Sequence, residues 1–335
     1  MDLRAEFDRL SPFIQANINK KFAGWKSMRD RFLNQFGGAG DSATGIANAN
    51  AYYAQLVEAK FPGDEFSKPA GRLTPVHPRM RAKFDRCVAL LRTKNAAANA
   101  LGRLASVGGF IIRENANNAN ELSLHSFGWA LDLDPELNPN IPKKTIPAPL
   151  IQMLTKVDIY GEHSERLRTP GSYDELLPHV QAMVKASREF SDVFTSPESL
   201  RTSLQRVLSE HFEATATQQD VAALEGLVKS PVDSKQKVIA KLTSLGVAHS
   251  MIADAESMLR SCFALLKFRE GESKPRVQGT AASVAAFGFI NLPPELIAGL
   301  VASDGGGLTW LGSTRGTKDF MHFELGPADR PSLRA

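Results

Sequence analysis

Residues 121–135 read ELSLHSFGWALDLDP. The stretch sets Ser123, His125, Asp132 and Asp134 into an otherwise apolar, strand-like run. A solvated loop has no need of so many Leu, Phe and Trp. A plain core strand has no need of a histidine and two acids, because polar groups in an apolar setting cost free energy unless they are engaged. The segment therefore reads as a strand that carries chemistry.

Hydrolytic zinc sites take three protein ligands from His, Asp and Glu and leave a fourth position for water. His125 and Asp132 supply two such ligands within one short segment. The best third is His322 in KDFMHFEL (318–325), the other strand-like segment with polar residues in an apolar context. The water also needs a general base within reach. Asp319, three residues before His322, is close enough to face the same metal. Glu324, two residues after it, shares its strand face and is placed to support a ligand from behind.

The run SLHSFGWALD (123–132) resembles the Ser-x-His-x-x-Gly-x-Ala-x-Asp signature of the M15 family of zinc peptidases. That family includes D-alanyl-D-alanine carboxypeptidases and the L-alanyl-D-glutamate endopeptidases of phage endolysins. KDFMHFEL resembles its second signature, Asp-x-x-His-Phe-Glu, and the two motifs stand in the family's order. The resemblance covers about 75–145 and 278–326. It implies Zn2+ held by His125, Asp132 and His322, with Asp319 as the catalytic base. Arg113, in GGFIIRE, and Ser123 would hold a carboxylate or carbonyl of a peptidoglycan stem peptide, and a planar Arg fork suits that task. Gly128 and Ala130 would keep bulk away from the metal-bearing strands. Asp134 falls outside the signature and precedes Pro135, so it reads as a strand-end cap. Many relatives carry Trp-Gly-Gly-x-Trp before the last His; here Trp310 keeps the first Trp and the second is lost. Trp310 reads equally as a groove wall or as packing.

The implied fold is α+β: a small antiparallel sheet bearing the zinc-peptidase core, with a helical N-terminal region and a large helical insertion. The expected division is 1–70 for the N-terminal region, 71–149 with 276–335 for the core, and 150–275 for the insertion. Residues 1–35 show helical spacing of Leu3, Phe7, Leu10, Phe13 and Ile14. GGAGDSATG (37–45) reads as a loop, 46–61 as a helix, and Pro78 to about Leu104 as a helix with a possible break. GGFIIRE and LSLHSFGWALDLD read as two strands joined by the polar turn NANNAN. Helical patterns fill 150–270, strand signal returns near 281–290, and LPPELIAGLVAS reads as a short helix.

The chain has 335 residues, net charge +4 and 43% hydrophobic residues, an ordinary balance for a globular protein. It shows no dense basic run with interleaved aromatics, so nucleic acid is not an expected partner. No apolar run approaches membrane-spanning length. Cys87 and Cys262 sit at apolar helical positions and read as buried free thiols. His77, His163, His179, His211 and His249 lack an acid or His at i+4 and read as structural or solvated. The first residues are charged throughout and do not read as a secretory signal. The expectation is a protein made in the cytoplasm that reaches the wall by lysis or non-classical export, as a phage lysin or an antibacterial effector. The insertion is then a candidate for contact with the wall or a protein partner. The alternatives are a D-Ala-D-Ala carboxypeptidase and a non-catalytic zinc-containing wall-binding module.

Overall fold

The computed structural model describes residues 2–60, 73–115, 118–141, 146–230, 234–270 and 280–333. It is mostly helical with small antiparallel sheets. Four helices open the chain: α1 (Leu3–Asp8), α2 (Pro12–Asn17), α3 (Lys21–Gln35) and α4 (Ser42–Tyr53). Asp2, Ser11 and Asp41 cap α1, α2 and α4 through their side-chain oxygens. Trp25, Phe32, Phe36, Tyr52 and Tyr53 form an aromatic core beneath them.

Two expectations fail here. The loop expected over 37–45 gives way at Ser42, because Asp41 is an N-cap. The helix expected over 46–61 ends at Tyr53, and β1 (Val57–Lys60) pairs antiparallel with β2 (Leu73–Val76). A β-branched start and an available partner strand override the helical pattern there.

Next come α5 (Pro78–Thr93), which buries Met80, Phe84, Cys87 and Leu91, and α6 (Ala97–Leu101). The strands β3 (Val107–Gly108), β4 (Glu114–Asn115), β5 (Asn118–Leu122), β6 (Ala130–Leu133) and β7 (Asn140–Ile141) follow. The segment expected as one long strand is divided. Leu124–Phe127 is a 3-10 turn, and only Ala130–Leu133 is strand. GGFIIRE is likewise mostly irregular between β3 and β4, while β4 pairs with β5, so that Asn115 and Asn118–Asn120 of the expected polar turn are strand and 116–117 lie outside the described residues.

The segment expected as a helical insertion holds α7 (Ala148–Thr155), α8 (Glu162–Arg166), α9 (Tyr173–Val193), α10 (Pro197–Glu210), α11 (Gln218–Lys229), α12 (Ser234–Ser244) and α13 (Ile252–Glu270). The strand signal near 281–290 is overturned, for α14 covers Thr280–Phe287. The Ala-rich sequence AASVAAF favours helix over strand. Then come α15 (Pro294–Val301), β8 (Thr309–Trp310), β9 (Lys318–Asp319) and β10 (His322–Glu324).

The central sheet has four strands in the order β3-β6-β10-β8, all antiparallel. Its register sets His322 opposite Asp132. A separate two-stranded ladder, β7 with β9, sets Asn140 opposite Asp319. α15 packs against both α5 and α9. Phe190 of α9 meets Phe289, and Phe289 meets Phe320, with ring centres 6.2 and 5.3 Å apart. Apolar packing therefore runs unbroken from the insertion to the C-terminal strands. Cys87 and Cys262 are buried and unpaired. No helix among the described residues is long and apolar enough to cross a membrane.

Candidate metal centre

The metal-ligand candidates converge from three elements. His125 projects from the 3-10 turn, Asp132 from β6 and His322 from β10. His125 Nε2 lies 3.3 Å from Asp132 Oδ2 and 3.1 Å from His322 Nδ1, and His322 Nδ1 lies 3.0 Å from Asp132 Oδ1. His125 and His322 are 3% and 8% exposed. Bonds of 2.0–2.1 Å in a tetrahedral site put neighbouring ligand atoms about 3.3 Å apart. The three donor atoms already stand near that spacing, so this His2Asp set fits a zinc-like divalent ion.

The turn is braced on every side. Tyr52 and Tyr53 of α4 donate their hydroxyls to the carbonyls of Phe127 and Ser126, at 2.7 and 2.8 Å. Ser126 Oγ accepts the Arg113 N–H at 3.0 Å. Gly128 closes the turn at φ +65°, and a Cβ there would sit 2.7 Å from the backbone nitrogen of His77. Glycine is thus needed for the approach of β2 and the start of α5, not to keep bulk away from the metal-bearing strands as expected. Gly109, at φ +150°, lies against the His125 ring, where a Cβ would come 3.0 Å from Nδ1.

His322 is oriented from behind. Its Nε2 is 3.0 Å from Glu324 Oε2, and Arg330 donates to Glu324 Oε1 at 3.1 Å. Burial alone would lower the His322 pKa, but hydrogen bonds to Asp132 and Glu324 outweigh it and lift the value to about 9. Burial likewise works to raise the Asp132 carboxyl, yet its hydrogen bonds with both histidines hold it well below the usual carboxylate range. Metal binding to such a set competes with protons for the same donor atoms.

Asp319 is not among the three convergent ligands but feels their charge. Its Oδ2 accepts a hydrogen bond from Asn140 Nδ2 at 3.0 Å. Its Oδ1 is buried and has no hydrogen-bond partner among the described residues. Burial raises its pKa, the negative Asp132 adds to that, and His322 and Asn140 oppose it; the net shift is upward. Asn140 escaped the sequence reading, because NPNIP looks like an ordinary turn and its role arises only from the β7–β9 register.

The remaining expectations scatter. Trp310 is 1% exposed, donates its indole N–H to the Phe320 carbonyl at 3.0 Å and stacks on Phe323. It packs the sheet and does not wall a groove. Ser123 begins the 3-10 turn, and its hydroxyl makes no hydrogen bond among the described residues. Arg113 is exposed and lines a cleft of about 420 Å³ with Asn19 and Lys20, which join α2 to α3, and with Ser27 and Met28 of α3. No hydrogen bond or ion pair among the described residues links its guanidinium to the metal ligands. Asp134 is the strand-end cap expected: at φ 43° its carboxylate accepts from the N–H groups of Ala105 and Ser106 at 2.9 and 2.6 Å. His163 and His179 pair with each other across α8 and α9, a contact that helical spacing within one element cannot reveal.

Comparison with protein-family models, curated proteins and solved structures returns no match for this chain.

Proposed function

We propose that this protein is a zinc-dependent peptidase of the peptidoglycan stem peptide, with cleavage between L-Ala and D-Glu as the favoured bond. The observation that carries the reading is the meeting of three donor atoms at metal-ligand spacing beside a buried carboxylate with one free oxygen. The likeness of both motifs to the M15 signatures supplies the substrate class.

His125, Asp132 and His322 would hold the ion, which would supply Lewis-acid activation of a water and of the scissile carbonyl. Asp319 Oδ1 takes the water's proton and returns it to the leaving amine. A raised pKa suits this exchange, since a carboxylate of ordinary acidity holds a proton too weakly to relay it near neutral pH. Asn140 keeps Oδ2 engaged and so fixes which oxygen reacts. Glu324 keeps the His322 Nε2 proton in place and leaves Nδ1 as the ligand atom.

The test is digestion of intact sacculi by purified protein, with and without a chelator and beside Asp319→Ala. Mass spectrometry of released fragments names the bond. Fragments that vanish with chelator and in the variant are the expected result. Release of free D-alanine would shift the assignment to a carboxypeptidase. Binding to sacculi with no fragment from metal-loaded protein would reduce it to a wall-binding module.

A further inference from the structure

The ligands and the base stand on different pieces of sheet. His322 and Asp132 belong to the four-stranded sheet, whereas Asp319 belongs to the β7–β9 ladder, which has two residues on each strand. So short a ladder does not hold a carboxylate in place by itself. Asn140 holds its Oδ2, and Trp310 and Leu133 bond the Phe320 and Met321 carbonyls that follow it; the side before Asp319 needs a hold of its own.

The start of the helical insertion supplies that hold. Lys318, the residue before Asp319, is 0% exposed, and its Nζ donates to Ser164 Oγ in α8 at 2.7 Å. Ser164 Oγ donates onward to the Ser313 carbonyl at 2.8 Å. The Lys318 amine also lies 4.5 Å from the centre of the Tyr160 ring. Tyr160 donates its hydroxyl to the Gly316 carbonyl at 3.0 Å, and Arg315 pairs with Glu165 at 2.6 Å. Four positions between 313 and 318 are thus tied to residues 160–165.

Burial of an amine is costly unless it is engaged, and no carboxylate pairs with Lys318 Nζ among the described residues. Its place is therefore set by Ser164 and the Tyr160 ring. Successive side chains of a strand point to opposite faces. A lysine seated in the insertion on one face fixes the direction of the aspartate on the other. We propose that Tyr160, Ser164 and Lys318 are positioning residues for Asp319, so that the insertion is part of the catalytic unit and not a removable cover. The inference rests on the peptidase reading of the same site.

The experiment uses the full chain and four variants: Ser164→Ala, Ser164→Thr, Lys318→Met and Tyr160→Phe. Bound metal, kcat and KM on a soluble stem-peptide substrate, and amide hydrogen exchange over 313–319 are measured for each. Ser164→Ala and Lys318→Met are expected to lower kcat about tenfold to a hundredfold, the scale of a misplaced reacting group. Bound metal and KM should stay at the wild-type level, and exchange over 313–319 should quicken. Ser164→Thr, which keeps the hydroxyl, should recover most of the rate, and Tyr160→Phe should show the same pattern more weakly. Wild-type kcat in Ser164→Ala and Lys318→Met overturns the proposal, as does a Thr variant no better than Ala. Metal loss in step with kcat also overturns it, for that is general unfolding of the site. A wild-type protein that binds metal but cleaves no stem peptide sinks the peptidase reading itself, and the inference with it.

Discussion

Two histidine pairs in this molecule bring ring nitrogens to nearly the same separation: 3.1 Å for His125 with His322 and 3.0 Å for His163 with His179. The first pair is buried, shares the Asp132 carboxylate and is backed by Glu324 and Arg330. The second is half-buried between two helices of the insertion, with Glu162 and Arg166 as charged neighbours of opposite sign. Burial, and then the neighbouring His163, lower the His179 pKa, and no carboxylate is shared between the two rings among the described residues. Ring spacing alone does not make a candidate metal site; the shared Asp132 carboxylate and the Glu324 partner set the first pair apart.

The largest effect expected from this contrast is in metal content. Wild-type protein should bind one zinc, His322→Ala none, and His179→Gln still one, as read by elemental analysis after dialysis. Two ions per chain would break the comparison. Next in size is catalysis: Asp319→Asn should keep its metal and lose about 10²- to 10⁴-fold in kcat, the usual contribution of a general base. A variant that loses metal in proportion would make Asp319 a ligand. Smaller again is Glu324→Gln, where competition with a chelating dye should show zinc bound about 10- to 100-fold more weakly, the usual effect of removing a ligand's supporting carboxylate. Unchanged affinity would make that carboxylate a partner of Arg330 only.

The smallest effect concerns Lys318. Burial, with Arg168 acting in the same direction and Asp158 against it, pushes its pKa down from 10.5 to about 7. Between those values the unfolded chain holds a proton that the folded chain does not, so this residue makes stability rise with pH. Below the folded value both states are protonated, and the whole cost of burying the charge is present. Denaturant unfolding from pH 7 to 10 should show a shallower rise for Lys318→Met than for wild type. Parallel profiles would mean that the amine stays charged where it is.

Much of the site could be read from residue types and spacing. His125, Asp132 and His322 meet as expected, and Glu324 stands behind His322 on its own strand. The helices of 150–270 also follow from their apolar periodicity. What escaped was geometry set by distant partners. A 3-10 turn carries the same apolar run as a strand, and only the hydroxyls of Tyr52 and Tyr53, with the φ of Gly128, reveal it. In AASVAAF, Val284 and Phe287 imitate a strand, while the alanines around them favour the helix that forms. Asn140 and Ser164 acquire meaning from a pairing across 179 residues and a contact across 154. No local pattern encodes either.

The two tyrosine hydroxyls on the His125 turn bear on how the protein meets its ion. They complete the carbonyls of the turn from a separate helix, whose own place is fixed by aromatic packing. The ligand-bearing turn is therefore braced by contacts that do not involve an ion. In small zinc modules folding and metal uptake are one event, and chelation unfolds the chain. Here chelation should silence the protein and leave it standing, ready to be recharged, so that supply of the ion can govern activity without costing the cell the molecule.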